Sequence, residues 1–180
     1  MTHQYDELGY KFYKSFLTDE DFEFIKQHYQ KVANDKFYTF FDVDKTRGRT
    51  IRADQPVEYL DLLNGSIKEK LEEELQVELE PRYSYQLTYL TNSYMIPHVD
   101  KNPCEVSLSV HIESNIGDEK DVFPLWLLDY KNNFAKFNMN PNDALLYNGP
   151  KVVHWRNPLC FSREVFYNQV MFHYTKKCTD

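Results

Sequence analysis

Val106-Ser107-Leu108-Ser109-Val110-His111-Ile112 alternates apolar and polar side chains without a break. Successive side chains of an extended backbone point to opposite faces, so Val106, Leu108, Val110 and Ile112 share one face while Ser107, Ser109 and His111 share the other. One face demands a packed core and the other demands polar partners. The same period of two returns over residues 83–90, 123–128, 134–137, 144–147 and 164–174, with turn residues between the runs.

Six short β-type runs after Pro81 predict a mainly β chain with flanking α-helices, built on a small two-sheet jelly roll, the double-stranded β-helix of cupin-like proteins. The first 80 residues read as support for this core. Residues 9–17 suit a strand, and Thr18 with Asp19, Glu20 and Asp21 supplies an N-cap and acids for the positive end of a helix. Phe22, Ile25, Tyr29 and Val32 then recur at helical spacing. Residues 37–43 form an aromatic strand candidate, and the polar stretch 45–54, which contains Gly48, reads as a hairpin tip or loop. Its cations Lys45, Arg47, Arg49 and Arg52 either face solvent or close over a site mouth to recognise an anionic substrate. Pro56 opens a helix that Asn64-Gly65 ends, and Ser66-Ile67-Lys68-Glu69 has the form of a capping box. These helices are expected on the outside of one sheet. The whole, residues 1–180, reads as one domain with its core at 82–174.

The chemistry-bearing residues cluster around this core. His98 and Asp100 lie in Met95-Ile96-Pro97-His98-Val99-Asp100-Lys101, and two-residue spacing puts both on one face of extended backbone. His154 follows 56 residues after His98, in Gly149-Pro150-Lys151-Val152-Val153-His154-Trp155. That separation needs intervening strands to bring the groups together. Two histidines and one carboxylate occupy one face of an octahedral ion and leave the other open, the ligand set of non-haem Fe(II) oxygenases. Arg163 comes nine residues after His154 at the start of a strand candidate, and its fixed fork of donors suits a carboxylate. Arg156 is the alternative. His111-Ile112-Glu113 is a rival His-x-carboxylate triplet, but as a ligand His111 leaves too few strands before His154. It is read instead, with Ser109, as lining that contacts a cosubstrate.

The order His98-x-Asp100, a β-rich interval ending in Asn142-Asp143-Ala144-Leu145-Leu146-Tyr147, then His154 and Arg163, resembles the Fe(II)- and 2-oxoglutarate-dependent dioxygenases, within them the prolyl-hydroxylase-like branch. The resemblance covers about half of the chain, residues 82–174. It implies Fe(II) on His98, Asp100 and His154, 2-oxoglutarate and O2 as cosubstrates with ascorbate as an accessory, and Arg163 on the distal carboxylate beside Tyr89. It further implies hydroxylation of a C–H bond on a prolyl or other peptide residue, a protein or an amino acid. Two alternatives stay open: a cupin-type metal enzyme that uses no 2-oxoglutarate, and a noncatalytic jelly-roll binding protein.

Composition narrows the partners. A net charge of −7 disfavours nucleic acid, five glycines and no glycine-rich loop disfavour nucleotide folds, and no apolar run reaches a membrane span. Cys104, Cys160 and Cys178 lack Cys-x-x-Cys spacing and are expected as reduced thiols. With no signal-peptide pattern at the N-terminus, the expected compartment is the cytoplasm.

Overall fold

The strand that opens the sequence argument, β6 (Val106–Ser114), is a central strand of the larger of two antiparallel sheets in the computed structural model. The structure describes residues 4–35, 39–44, 46–117 and 123–177. The larger sheet also contains β1 (Tyr10–Tyr13), β2 (Thr39–Asp44), β3 (Gly48–Asp54), β4 (Leu79–Leu90), β9 (Ala144–Tyr147) and β11 (Phe166–Lys176), in the order β1-β9-β6-β11-β4-β3-β2. The smaller sheet, β5-β10-β7-β8, is made of β5 (Met95–His98), β7 (Leu125–Leu128), β8 (Phe134–Phe137) and β10 (Val153–Arg156). Strands adjacent in space but distant in sequence, such as β10 between β5 and β7, give the jelly-roll winding.

The alternation of β6 sorts two apolar layers. Val106, Leu108, Val110 and Ile112 face outward onto the helices, where Ile25, Tyr29 and Val32 of α2 (Asp19–Asn34), Leu62 and Leu63 of α3 (Leu60–Asn64) and Ile67 and Leu71 of α4 (Ser66–Leu75) cover them. The opposite face looks between the sheets, where Leu87, Tyr89, Leu125, Leu127, Tyr147 and Met171 pack. A short α1 (Gln4–Leu8) precedes β1. Thr18 caps α2 as expected, its hydroxyl accepting from the Asp21 amide at 3.1 Å.

Several local expectations change. Ser66 makes no capping box; its hydroxyl donates to Asp21 Oδ2 at 3.0 Å, tying α4 to α2. The polar stretch 48–54 is a full strand, β3, bonded to β2 on one side and β4 on the other, because backbone pairing tolerates charged side chains that emerge at the rim. Lys45, Phe37 and Cys178 lie outside the described residues, whereas Cys104 and Cys160 are free cysteines. No helix among the described residues is long and apolar enough to cross a membrane.

Candidate metal centre

β5 and β10 run antiparallel with His98 directly opposite His154, which brings the two rings to 4.3 Å between centroids. Asp100 leaves the end of β5, and its backbone amide donates to the Gly149 carbonyl at 2.9 Å. His98 Nε2 lies 3.8 Å and His154 Nε2 3.6 Å from the same atom, Asp100 Oδ1. Two ligand atoms each about 2.1 Å from one ion are separated by no more than about 4.2 Å, a spacing that both of these pairs meet. The three donors lie within 4.8 Å of one another.

The remaining polar atoms of the triad orient it. His98 Nδ1 contacts the Ile96 carbonyl at 2.8 Å and His154 Nδ1 the Val152 carbonyl at 3.0 Å. A carbonyl only accepts, so each Nδ1 carries the proton and each Nε2 presents a lone pair. Burial pushes His154 down to about 4, with Asp100 opposing and His98 adding to the shift, so the ring is neutral at pH 7. Asp100 Oδ2 accepts from Ser107 Oγ at 3.1 Å, which leaves Oδ1 as a third lone-pair donor beside the two Nε2 atoms. The same hydroxyl meets His173 Nδ1 at 2.9 Å. Asp100, Cys104 and His173 also approach one another closely enough to hold a metal. However, burial raises the Cys104 thiol, which is thereby kept protonated at neutral pH, and Asp100 already belongs to the triad.

Inward of the triad, Tyr89, Ser109, Gln169, Met95 and Met171 line a cavity of about 10 Å³. Tyr89 is fully buried, its hydroxyl 3.5 Å from Met95 Sδ, and Ser109 Oγ lies 3.5 Å from Gln169 Oε1. This space is smaller than a dicarboxylic acid of five carbons, and two of its walls, Met95 and Met171, are flexible thioether chains. His111 lies farther along. It stacks on Tyr167 at 4.1 Å and lines a separate cavity of about 330 Å³ with Phe123, Asn140 and Met139.

The two arginines divide sharply. Arg163 precedes β11 on an exposed bend, its guanidinium donating to the carbonyls of Asn115 at 3.0 Å and Ile116 at 3.4 Å. The structure does not bring it to the triad. Arg156 stands two residues after His154 on the same face of β10 and is only 2% exposed. Its guanidinium donates to the Phe123 carbonyl and, at 3.1 Å, to Gln169 Oε1. It lies against the rings of Tyr89, Phe123 and Tyr167, and its Nε has no hydrogen-bond partner among the described residues. Among the described residues these contacts include no carboxylate. The nine-residue spacing assumed that Arg163 begins the inner strand, but β11 begins at Phe166 and residues 157–165 are irregular, so strand parity does not carry across them.

His173 had no constellation in the sequence, and Gly149 no role. The period-two run of β11 puts His173 on one face with Tyr167, Gln169 and Met171, which is the signal that could have found it.

No protein-family model matches the sequence, and no curated protein does. Solved structures match along nearly the whole chain. A prolyl hydroxylase from Trichoplax adhaerens, in complex with a hypoxia inducible factor oxygen degradation domain peptide fragment, superposes with a TM-score of 0.75 at 13% identity, covering 95% of this chain and 86% of that one. An oxidoreductase of the 2OG-Fe(II) oxygenase family from Burkholderia pseudomallei gives 0.75 at 13% identity, covering 96% and 88%. HygX from Streptomyces hygroscopicus, with nickel and 2-oxoglutarate bound, gives 0.66 at 11% identity, covering 94% and 84%. The chain therefore has the jelly-roll fold of the 2-oxoglutarate- and Fe(II)-dependent oxygenases.

Proposed function

We propose that the protein is an Fe(II)- and 2-oxoglutarate-dependent dioxygenase that hydroxylates a C–H bond of a prolyl or other peptide residue, or of an amino acid. The observation that carries this reading is the convergence of two imidazole nitrogens and one carboxylate oxygen, two residues along β10 from a buried guanidinium. Two nitrogens and one oxygen on one side of an ion suit Fe(II) and leave positions open for other ligands. Fe(II) held there supplies the redox chemistry by which O2 and 2-oxoglutarate yield succinate, carbon dioxide and a hydroxylated product.

The chain's own residues bind, orient and exclude water. His98 and His154 offer Nε2, and Asp100 offers Oδ1 while Ser107 holds Oδ2. Arg156 takes the distal carboxylate of 2-oxoglutarate, the role that the nine-residue spacing had given to Arg163. Two residues of strand span about 7 Å, a distance that a five-carbon chain bridges. A buried cation with only neutral partners is costly, and a carboxylate offsets that cost. Tyr89, Ser109 and Gln169 line the path between the ends, whereas His111 acts from behind Tyr167. The fold shared with HygX supports the same reading, since that protein holds nickel and 2-oxoglutarate.

The test is succinate formation by purified protein offered free amino acids and prolyl peptides. Turnover should require both Fe(II) and 2-oxoglutarate and vanish in His154→Ala. Equal turnover in His154→Ala, or turnover without 2-oxoglutarate, contradicts the assignment.

A further inference from the structure

A cavity of about 320 Å³ opens on the flank of the triad, against His98 and Asp100, and its walls are unlike the average of this acidic chain. Three cations line it: Arg47, Arg52 and Lys101. Among the described residues, the one carboxylate in the lining is Asp100, which faces the two histidines and Ser107. Arg52 also pairs with Asp54 at 2.6 Å.

Arg47 is held in position by backbone, not by chance packing. The turn between β2 and β3 lies on the segment that carries the metal ligands, with the Tyr94 amide donating to the Arg47 carbonyl and the Ile96 amide to the Thr46 carbonyl, each at 3.0 Å. Gly48 permits this approach: its φ is +70°, and a Cβ there would meet the Asn92 carbonyl oxygen and Tyr94 Cε1 at 3.1 Å. The turn is thereby fastened to the segment that leads into His98.

The floor is aromatic. Tyr83, Tyr85 and His173 form a continuous wall, with His173 4.7 Å from the Tyr83 ring and 5.6 Å from the Tyr85 ring. Arg52 lies over Tyr85 at 4.2 Å. His173 is 1% exposed; its Nδ1 is engaged by Ser107, while its Nε2 has no hydrogen-bond partner among the described residues although the residue lines the cavity. A buried polar atom left without a partner beside a cavity is suited to a ligand that supplies one.

From these observations, and resting on the oxygenase reading above, we propose that this cavity is the primary-substrate site and that its occupant is a small molecule bearing a free carboxylate. The carboxylate is held by Arg47, Arg52 and Lys101, and the carbon frame rests on Tyr83, Tyr85 and His173 with a C–H directed toward the triad. A prolyl residue inside a peptide lacks the anion that this lining recognises. Among the substrate classes considered, a free amino acid or a comparable organic acid fits best.

The experiment uses full-length protein loaded anaerobically with Fe(II) and 2-oxoglutarate, in which the visible band of the chelated keto acid first verifies the cosubstrate. Calorimetric titrations follow with free L-amino acids and simple aromatic and alicyclic acids at millimolar concentration, each beside its own carboxamide, and with an end-blocked prolyl peptide. The expected result is binding of at least one acid, with its amide weaker by about ten-fold or more. Arg52→Gln and Lys101→Met should each erase that preference while the band persists. A protein with the band in which amides bind as well as acids, in which no acid binds, in which the blocked peptide binds in preference, or in which both variants keep the preference overturns the inference and leaves the oxygenase reading intact. Absence of the band overturns both.

Discussion

At Gly149 a single methyl group separates a working site from a broken one. A Cβ there would lie 2.5 Å from both Asp100 Oδ2 and the Cys104 carbonyl oxygen, and the latter is backbone that cannot swing aside. Gly149→Ala is expected to cost about 1–3 kcal/mol of stability and to displace Asp100, weakening metal affinity; urea unfolding and Fe(II) titration read the two effects separately. Ser107→Ala removes the donor to Oδ2 and should lower metal affinity about 10- to 100-fold with the fold intact. Arg156→Met tests the cosubstrate end. The exchange leaves the Phe123 carbonyl and Gln169 Oε1 without their donor, so the melting temperature should fall modestly while 2-oxoglutarate affinity falls about 10- to 100-fold. Arg163→Ala should leave that affinity unchanged, and a large loss there with none at Arg156 contradicts the assignment. The triad was legible in the sequence because His98 and Asp100 share a face at two-residue spacing. Arg156 was harder to choose because β10 has only four residues, too few for alternation to declare which side chains are buried.

The elements show where pattern reading succeeds and where it stops. β6 runs 9 residues with steady alternation over Val106–Ile112, so its faces could be assigned before the fold was known, whereas the 11 residues of β11 are apolar on both faces over Val170–Phe172 and are sorted only by pairing. β3 escaped because its alternation is interrupted by Arg49, Arg52 and Asp54, and its strand character comes from pairing with β4 and β2, which no local window contains. The helices α2, α3 and α4 were legible through their apolar stripes, whereas the five-residue α1 is too short to show one, and their contribution is stability rather than chemistry. Leu71, fully buried between α4 and the sheet, should cost about 2–5 kcal/mol on substitution by Ala, as judged by the urea midpoint. Since Leu71 lies in the layer opposite the triad, Fe(II) affinity of the folded variant should match wild type.

Across the whole molecule, three buried imidazoles make acid a denaturant. His111, His154 and His173 are each pushed by burial down to about 4, His111 additionally by Arg156. In the unfolded chain histidine titrates near 6.5, so between those values the unfolded state binds protons that the folded state refuses. Stability of the metal-free protein is therefore complete above about pH 6.5 and is lost as pH falls toward 4, by up to about 3 kcal/mol for one such group. Urea midpoints at pH 7 and pH 4.5 measure the loss, and His111→Gln should reduce its slope; equal slopes mean that His111 is not the proton acceptor assigned here. The jelly roll turns this buried polarity toward function. It presses β5 against β10 to join the histidines, sets Arg156 inward of them, and leaves the cationic cavity on the outer flank.

The most direct measurement is an anaerobic titration of Fe(II)-loaded protein with 2-oxoglutarate, following the visible charge-transfer band that the chelated keto acid produces. Wild type should develop the band, His98→Ala should not, and Arg156→Met should require a much higher concentration to reach it. Correctly folded wild type that neither holds Fe(II) nor develops the band contradicts the account.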